Sequence, residues 1–397
     1  METPAVITDV PALARLQRRA LIVGVIGLVA GGAGALTNTD QFFRSWLIGF
    51  LFCLGLSMGS LALLMLQHVS GGQWGLVGRR VFEAASRNLP YVVLLFVPLL
   101  FGLPRLFVWA RPEAVAADHI LQNKAPYLNV PFFIGRAVLY FAVWMTCMWL
   151  LNKWSAGQDR GEVAVHPADT RRFRTVSAPG LLLYVLLMTF ASVDWVMSLD
   201  AHWFSTIFGF ILVAGQGLAA FSLVIAVLAL VADSAPMAAI LNRGHFLDLG
   251  KLLLAFVMLW AYFSFSQFLI IWAGNLPEEI PFFVERLRHG WQYVSLAIVL
   301  GHFALPFVLL LSRDLKKQSG VLAMVAILIL VMRYIDLLWL VEPMFERHGF
   351  PIHWMDVALP AGLTGLWFFL FARNLRGRPL LPLNDPFFKE AFAHDAH

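Results

Sequence analysis

Long apolar runs, separated by short polar segments, recur along the whole chain. Ten of them approach the length of about 20 residues at which an α-helix, rising about 1.5 Å per residue, crosses a hydrocarbon layer about 30 Å thick. The predicted spans are residues 20–37, 44–68, 88–109, 132–152, 179–199, 204–232, 249–273, 291–312, 320–342 and 354–374. No series of short segments alternates with the period of two that a lipid-facing β-barrel requires. The pattern therefore predicts an all-α, polytopic membrane protein.

The amino-acid composition also indicates a membrane environment. Of the 397 residues, 60% are hydrophobic and only 13% are charged, and the mean hydropathy is +0.75. A soluble globular domain of this length does not reach such values. The net charge of +5 is explained by membrane topology and anionic lipid, so the sequence gives no reason to expect a nucleic-acid partner.

The basic residues predict the orientation. Most of the 29 Lys and Arg residues lie in segments on the same side as the N-terminus. The opposite loops hold only Arg44, Arg111, Lys124, Arg286, Arg288 and Arg347. Cytoplasmic loops carry the excess of Lys and Arg, so both termini are expected in the cytoplasm.

The ten predicted spans divide the chain into four segments. We expect an N-terminal segment with the first span (1–43), a first four-helix bundle (44–200), a second four-helix bundle (201–345), and the tenth span with a cytoplasmic tail (346–397). Because four is even, both bundles start on the same face and can form a parallel repeat. The first span is predicted to be a retained helix and not a signal peptide, because about twenty residues with Asp9 and three arginines precede it.

Ionisable residues inside the spans are the candidate chemistry. Arg333 and Asp336 stand three apart in the ninth span and therefore share one helix face. A lone charge at mid-membrane costs at least about 2.5 to 3.5 kcal/mol, which pairing partly offsets. We interpret the two as an ionisable element facing a hydrated interior, and the alternative is a static ion pair that fixes helix packing.

Asp194 in the fifth span has no basic residue within a turn of its own helix. A carboxylate in low dielectric has a raised proton affinity, so we interpret Asp194 as a proton-exchange site whose charge partner comes from another helix. The alternative is a snorkelling or helix-capping aspartate at the outer interface.

Further polar residues extend this list. His302 lies in mid-span four residues before Pro306, which cannot donate to the carbonyl of residue 302, so a local polar pocket is expected there. Satisfied packing of this histidine is the alternative. In the seventh span Asp248, Lys251, Tyr262 and Gln267 are predicted to form a hydrated stripe. A corresponding stripe in the first bundle would comprise His68, Arg87, Arg136 and Tyr140, and several of these residues are equally compatible with a role as interface anchors.

Redox and phosphate-binding motifs do not occur in the sequence. It contains no C-x-x-C-H, no cysteine cluster, no H-E-x-x-H and no P-loop, and its two cysteines lie inside spans. We therefore expect no cofactor and no metal bound by this chain, and a function that involves protons, quinones or small solutes.

Five stretches carry a resemblance to a known family. They are LMLQHVSGGQWG, KAPYLNVPFFIGRAVLYFAVW, SVDWVMSLDAHWFSTIFG, DLGKLLLAFVMLWAYFSFSQFLIIWAGNLPEE and MRYIDLLWLVEP. Together they resemble the F-type membrane subunits of bacterial alternative complex III, in the NrfD-like, polysulfide-reductase-type family. The likeness covers nearly the whole chain, and Gly274 to Glu279 is its most specific part.

The resemblance implies a place in a quinol to cytochrome c, or other high-potential acceptor, oxidoreductase of the bacterial inner membrane. The implied partners are lipids, a homologous quinol-binding NrfD-like subunit, a large iron–sulfur subunit related to molybdopterin enzymes, and multihaem and monohaem cytochromes c. Quinol, haem c and Fe–S clusters would belong to those partners. By the same likeness, Asp194, His302, Arg333 and Asp336 are candidate proton-path residues.

Two other functions remain open at this point. As a quinol-binding anchor, the chain would hold a quinone headgroup in an outer pocket built from Asp194, His202, Trp203 and Gln267. As a stand-alone secondary transporter, it would have a broken helix near mid-membrane, and apart from glycines in the second, sixth and tenth spans the sequence shows little of that.

Overall fold

The structure, a computed structural model, describes residues 10–161, 170–345, 352–382 and 384–388. These residues form helices and contain no β-strand. Ten helices are long and apolar enough to cross a membrane. They are α1 (Pro11–Thr37), α2 (Thr39–Ser70), α3 (Gln73–Phe101), α4 (Val130–Asp159), α5 (Arg171–Leu199), α6 (Phe208–Val231), α7 (Arg243–Gly274), α8 (Trp291–Leu311), α9 (Ser319–Met344) and α10 (Met355–Arg376). The all-α polytopic fold is confirmed.

Several helices are longer than the predicted spans. α1 begins at Pro11 and α3 begins at Gln73, whereas the apolar runs predict starts at residues 20 and 88. An apolar run marks only the part of a helix that lies in hydrocarbon. In α3 a turn at Arg87 and Asn88 joins an amphipathic helix, Gln73–Ser86, to the apolar helix Leu89–Phe101, which begins close to the predicted residue 88. At its other end α3 stops at Phe101, and the separate short helix Leu103–Leu106 follows after Gly102.

Helices of the two predicted bundles pack within each bundle and also between the bundles. In the first bundle α2 packs against α3 and α5, and α4 packs against α5. In the second bundle α6 packs against α7 and α9, and α8 packs against both α7 and α9. α2 and α6, the two most buried spans, also pack against each other between the bundles.

α1 and α10 form the most extensive helix pair outside these bundles. Their backbones approach closely because glycines face each other. A Cβ added at Gly27 would lie 2.5 Å from the carbonyl oxygen of Ala358 and 2.5 Å from the nitrogen of Gly362. Small residues that let backbones touch are the usual means of helix association in lipid.

Successive spans define two faces. We call the face at which α1 begins and α10 ends the terminal face, and the other the opposite face. The opposite face carries the longest described connection, residues 102–129, with short helices Pro112–Ala117 and His119–Lys124, and the short helix Pro281–Arg286. The terminal face carries the end of α2, the start of α3 and the segment after α10.

Candidate functional site

Asp194 lies near the opposite face, is 0% exposed and is held by α4. Arg136 donates from Nε to Oδ2 at 2.9 Å and from Nη2 to Oδ1 at 2.7 Å. The Tyr140 hydroxyl donates to Oδ2 at 2.8 Å. The expected partner from another helix is therefore Arg136, and complete burial excludes a snorkelling aspartate.

Arg136 is itself fixed by its surroundings. Its Nη1 donates to the Tyr127 carbonyl at 2.8 Å, and its guanidinium carbon lies 3.8 Å from the centroid of the Tyr127 ring. Burial, followed by the Asp194 charge, raises the pKa of Tyr127 to about 12. Asp194 thus belongs to a bidentate, hydrogen-bonded and tightly packed pair.

Arg333 and Asp336 form a buried ion pair in α9, as their spacing predicts. The guanidinium lies against α6 at Gly215, where an added Cβ would be 2.4 Å from the Arg333 Cζ. The Arg333 guanidinium therefore occupies the space that a side chain at Gly215 of α6 would fill. The pair joins α9 to the central helix α6.

His302 is 0% exposed, and neither of its ring nitrogens has a hydrogen-bond partner. Its ring centroid lies 4.1 Å from that of Trp260 in α7. Residues Val299–Ala304 form a π-helical turn in which the Leu305 N–H bonds to the Leu300 carbonyl. The sequence predicts only a freed carbonyl before Pro306, and the helix responds by widening. Such π-turns occur frequently at functional sites.

The predicted polar stripe of the seventh span is wrong as one continuous interior feature. Asp248 and Lys251 form an exposed ion pair of 2.8 Å at the terminal face. Tyr262 is 65% exposed on the outside of the fold. Gln267 is buried and accepts a hydrogen bond from the Ser205 hydroxyl at 3.3 Å. Asp248, Lys251 and Tyr262 share an outward face of α7, whereas Gln267, five residues after Tyr262, lies on a different face that turns into the fold.

His68 lies at the terminal face and not beside Arg136 and Tyr140, so the predicted stripe of the first bundle divides into two separate sites. Its ring centroid is 4.7 Å from that of Phe173, and its Nε2 is buried without a partner. A cavity of about 440 Å³ opens here, lined among others by His68, Arg79, Phe173 and Asp385. Arg87, also placed in that stripe, donates instead to the carbonyl of Asn374 at 2.5 Å.

A buried charge cluster beside this cavity is missed by the sequence interpretation. Glu83 accepts hydrogen bonds from Arg79 Nε at 2.9 Å, Arg80 Nη1 at 2.7 Å and the Ser155 hydroxyl at 2.6 Å. Arg79 also pairs with Asp385 from the segment after α10 at 2.5 Å. The spacing of two arginines three and four residues before a glutamate is a signal for such pairing on one helix. It lies between two predicted spans, where the apolar pattern gives no indication of burial.

The outer pocket proposed for a quinol anchor is not assembled from its four residues. Trp203 stacks on Phe282 at 4.2 Å, His202 bonds to Asp118 at 2.6 Å near solvent, and Asp194 is engaged by Arg136. A cavity of about 410 Å³ does open on this face. Its lining includes Lys124, Tyr127, Met197, Ser198, Trp203 and Phe204.

Within the part of the chain that the structure describes, no group of three or more His, Cys, Asp or Glu side chains is placed to hold a metal ion. Cys53 is buried and Cys147 is half-buried, and both are free thiols.

Two comparisons with known proteins found no match for this chain. A scan against protein-family models finds no matching family. A search of curated proteins finds no matching sequence.

Proposed function

We propose that this chain is a proton-conducting membrane subunit of a quinol-oxidising complex of the alternative complex III type. Electrons would pass from quinol to cytochrome c or another high-potential acceptor through partner subunits that carry Fe–S clusters and haem c. The homologous quinol-binding subunit would lie beside this chain in the bacterial inner membrane, with both termini of this chain in the cytoplasm. The multi-span helical fold and the five resembling stretches support this proposal.

The observation that carries the proton role is His302. A neutral imidazole has one donor and one acceptor nitrogen, and leaving a buried polar group unpaired costs about 1–3 kcal/mol. A histidine selected for packing alone would not retain that cost in mid-membrane. An imidazole with both nitrogens unpaired can accept a proton on one side and release it on the other.

The neighbouring ion pair fits this role. The π-helical turn that carries His302 packs against α9 beside this pair, since a Cβ added at Gly301 would lie 2.9 Å from the Met332 Sδ, next to Arg333. Asp336 balances the charge of Arg333 on the helix that faces this turn.

The test is the number of protons translocated per electron in the purified complex reconstituted into liposomes. We expect His302→Gln to lower this ratio while the subunits still assemble and quinol oxidation in detergent continues. His119→Gln, an exposed histidine in the connection between α3 and α4, is the matched control and should leave the ratio unchanged. An unchanged ratio in His302→Gln would remove this residue from the path, and copurification without haem would argue against the complex itself.

One observation favours a second function, that of a quinol-binding anchor. The cavity of about 410 Å³ at the opposite face has the aromatic walls Tyr127, Trp203 and Phe204, which suit a planar headgroup. A quinone bound there in the complex, displaced by Trp203→Ala, would support this function. The same cavity without quinone at saturating quinol would exclude it.

A further inference from the structure

Two buried carboxyl groups at the opposite face have no place in the path described above. Glu342 lies in the last turn of α9 and Asp356 in the first turn of α10, and each is 1% exposed. The Gln41 side-chain nitrogen from α2 lies 2.6 Å from Asp356 Oδ1 and 3.4 Å from Glu342 Oε1. One amide therefore contacts both acids, which makes them close neighbours.

The Asp356 and Glu342 carboxyl groups differ in the number of hydrogen bonds they accept. Asp356 also accepts from the Ser45 hydroxyl at 2.6 Å and from the His353 backbone N–H at 2.9 Å. Glu342 has only the long contact to Gln41, and its Oε2 is buried without a partner. Asp356 thus receives three hydrogen bonds, whereas Glu342 receives one long one.

No described cationic side chain forms an ion pair with either acid. No ion pair involves Glu342 or Asp356 within the described residues. Arg44 from α2 contributes a nearby positive charge, and its guanidinium lies over the Phe345 ring at 4.7 Å. The Tyr334 hydroxyl of α9 donates to the Asp356 backbone carbonyl, and His353 Nδ1 accepts from the Met355 N–H at 3.2 Å.

Two adjacent carboxylates in a buried site cannot both remain ionised without a large cost. We propose that Glu342 and Asp356 form a carboxyl–carboxylate pair that retains one proton at neutral pH, with the proton on Glu342. Its further role, which rests on the proposed function, is to exchange protons at the opposite face. Six residues of α9, about 9 Å of helix rise, separate Glu342 from Asp336.

The retained proton can be tested without measuring transport. Infrared spectra of the purified complex at neutral pH, in H₂O and D₂O, should contain a protonated-carboxyl C=O band that shifts in D₂O. Glu342→Gln should lose this band and keep the wild-type melting temperature, because glutamine resembles the protonated acid. Glu83→Gln, a variant of a carboxylate that already has arginine partners, should keep the band. A band that survives unchanged in Glu342→Gln overturns the proposal.

Asp356→Asn provides a second measurement of the same pair. Removing the neighbouring negative charge makes it easier for Glu342 to ionise, so its band should disappear at a lower pH than in the wild type. An unshifted titration would show that the two acids are not coupled. The protons-per-electron ratio of Glu342→Gln is then read separately. If Glu342→Gln loses the infrared band but keeps the wild-type protons-per-electron ratio, the carboxyl pair retains a proton in the wild type but takes no part in proton exchange.

Discussion

Buried polar residues in this protein range from fully paired to wholly unpaired. Asp194 receives three hydrogen bonds from two side chains, whereas His302 receives none. A paired charge stabilises one arrangement, since removing a partner strands the other charge. An unpaired titratable group is free to change its protonation state. Structural and exchange roles can therefore be separated by how completely each side chain is satisfied.

Arg136→Leu should lower the free energy of unfolding by about 3–5 kcal/mol, because it leaves the Asp194 carboxylate buried without its cation. The measurement is equilibrium unfolding of the purified protein in mixed detergent micelles. Arg105→Leu is the matched control, since Arg105 pairs with Asp40 near solvent and an exposed pair contributes about 0–1 kcal/mol. Equal losses in the two variants would contradict a structural role for the Arg136–Asp194 pair.

At the scale of helices, hydropathy predicts the number and the order of the spans, because crossing hydrocarbon imposes a length on every apolar run. It does not predict where helices end, as the start of α1 at Pro11, before the predicted residue 20, shows. Hydropathy does not predict contacts between helices either. The sequence shows that a buried Asp194 carries an energetic cost, but its partner Arg136 stands 58 residues away, and no local spacing connects the two. Glu342 and Asp356 are missed for the same reason, since Gln41 approaches them from a distant helix.

The close approach of α1 to α10 gives a prediction at this scale. Gly27→Val places side-chain atoms against the backbone of Ala358 and Gly362, so α1 has to move away. Overpacking of this kind costs about 1–3 kcal/mol, and the melting temperature should fall. Gly32→Val lies on the same helix with nothing within 4 Å of its added Cβ, and it makes the same change in helix propensity. If both variants melt alike, contact between the two backbones does not hold α1 in place.

The whole molecule carries its charge asymmetrically. Buried ion pairs of Arg79 and Arg80 lie at the terminal face, together with most of the basic residues of the sequence. The carboxyl pair of Glu342 and Asp356 lies at the opposite face. A proton path through His302 to Glu342 would therefore run toward the face that holds the carboxyl pair. The excess of Lys and Arg at the terminal face favours a cytoplasmic position for that face, so the proposed proton direction is out of the cytoplasm.

Thiol labelling tests this orientation together with the span count. Glu113→Cys lies in the connection between α3 and α4, and Gln318→Cys lies between α8 and α9; both positions are exposed. The background is Cys147→Ser, and Cys53 is buried. Because five spans separate the two positions, a membrane-impermeant maleimide should label only one of them from either side. In right-side-out vesicles that one should be Glu113→Cys, and in inverted vesicles Gln318→Cys. Labelling of both from one side would refute the span count, and the reverse pattern would place the basic face outside and reverse the proposed proton direction.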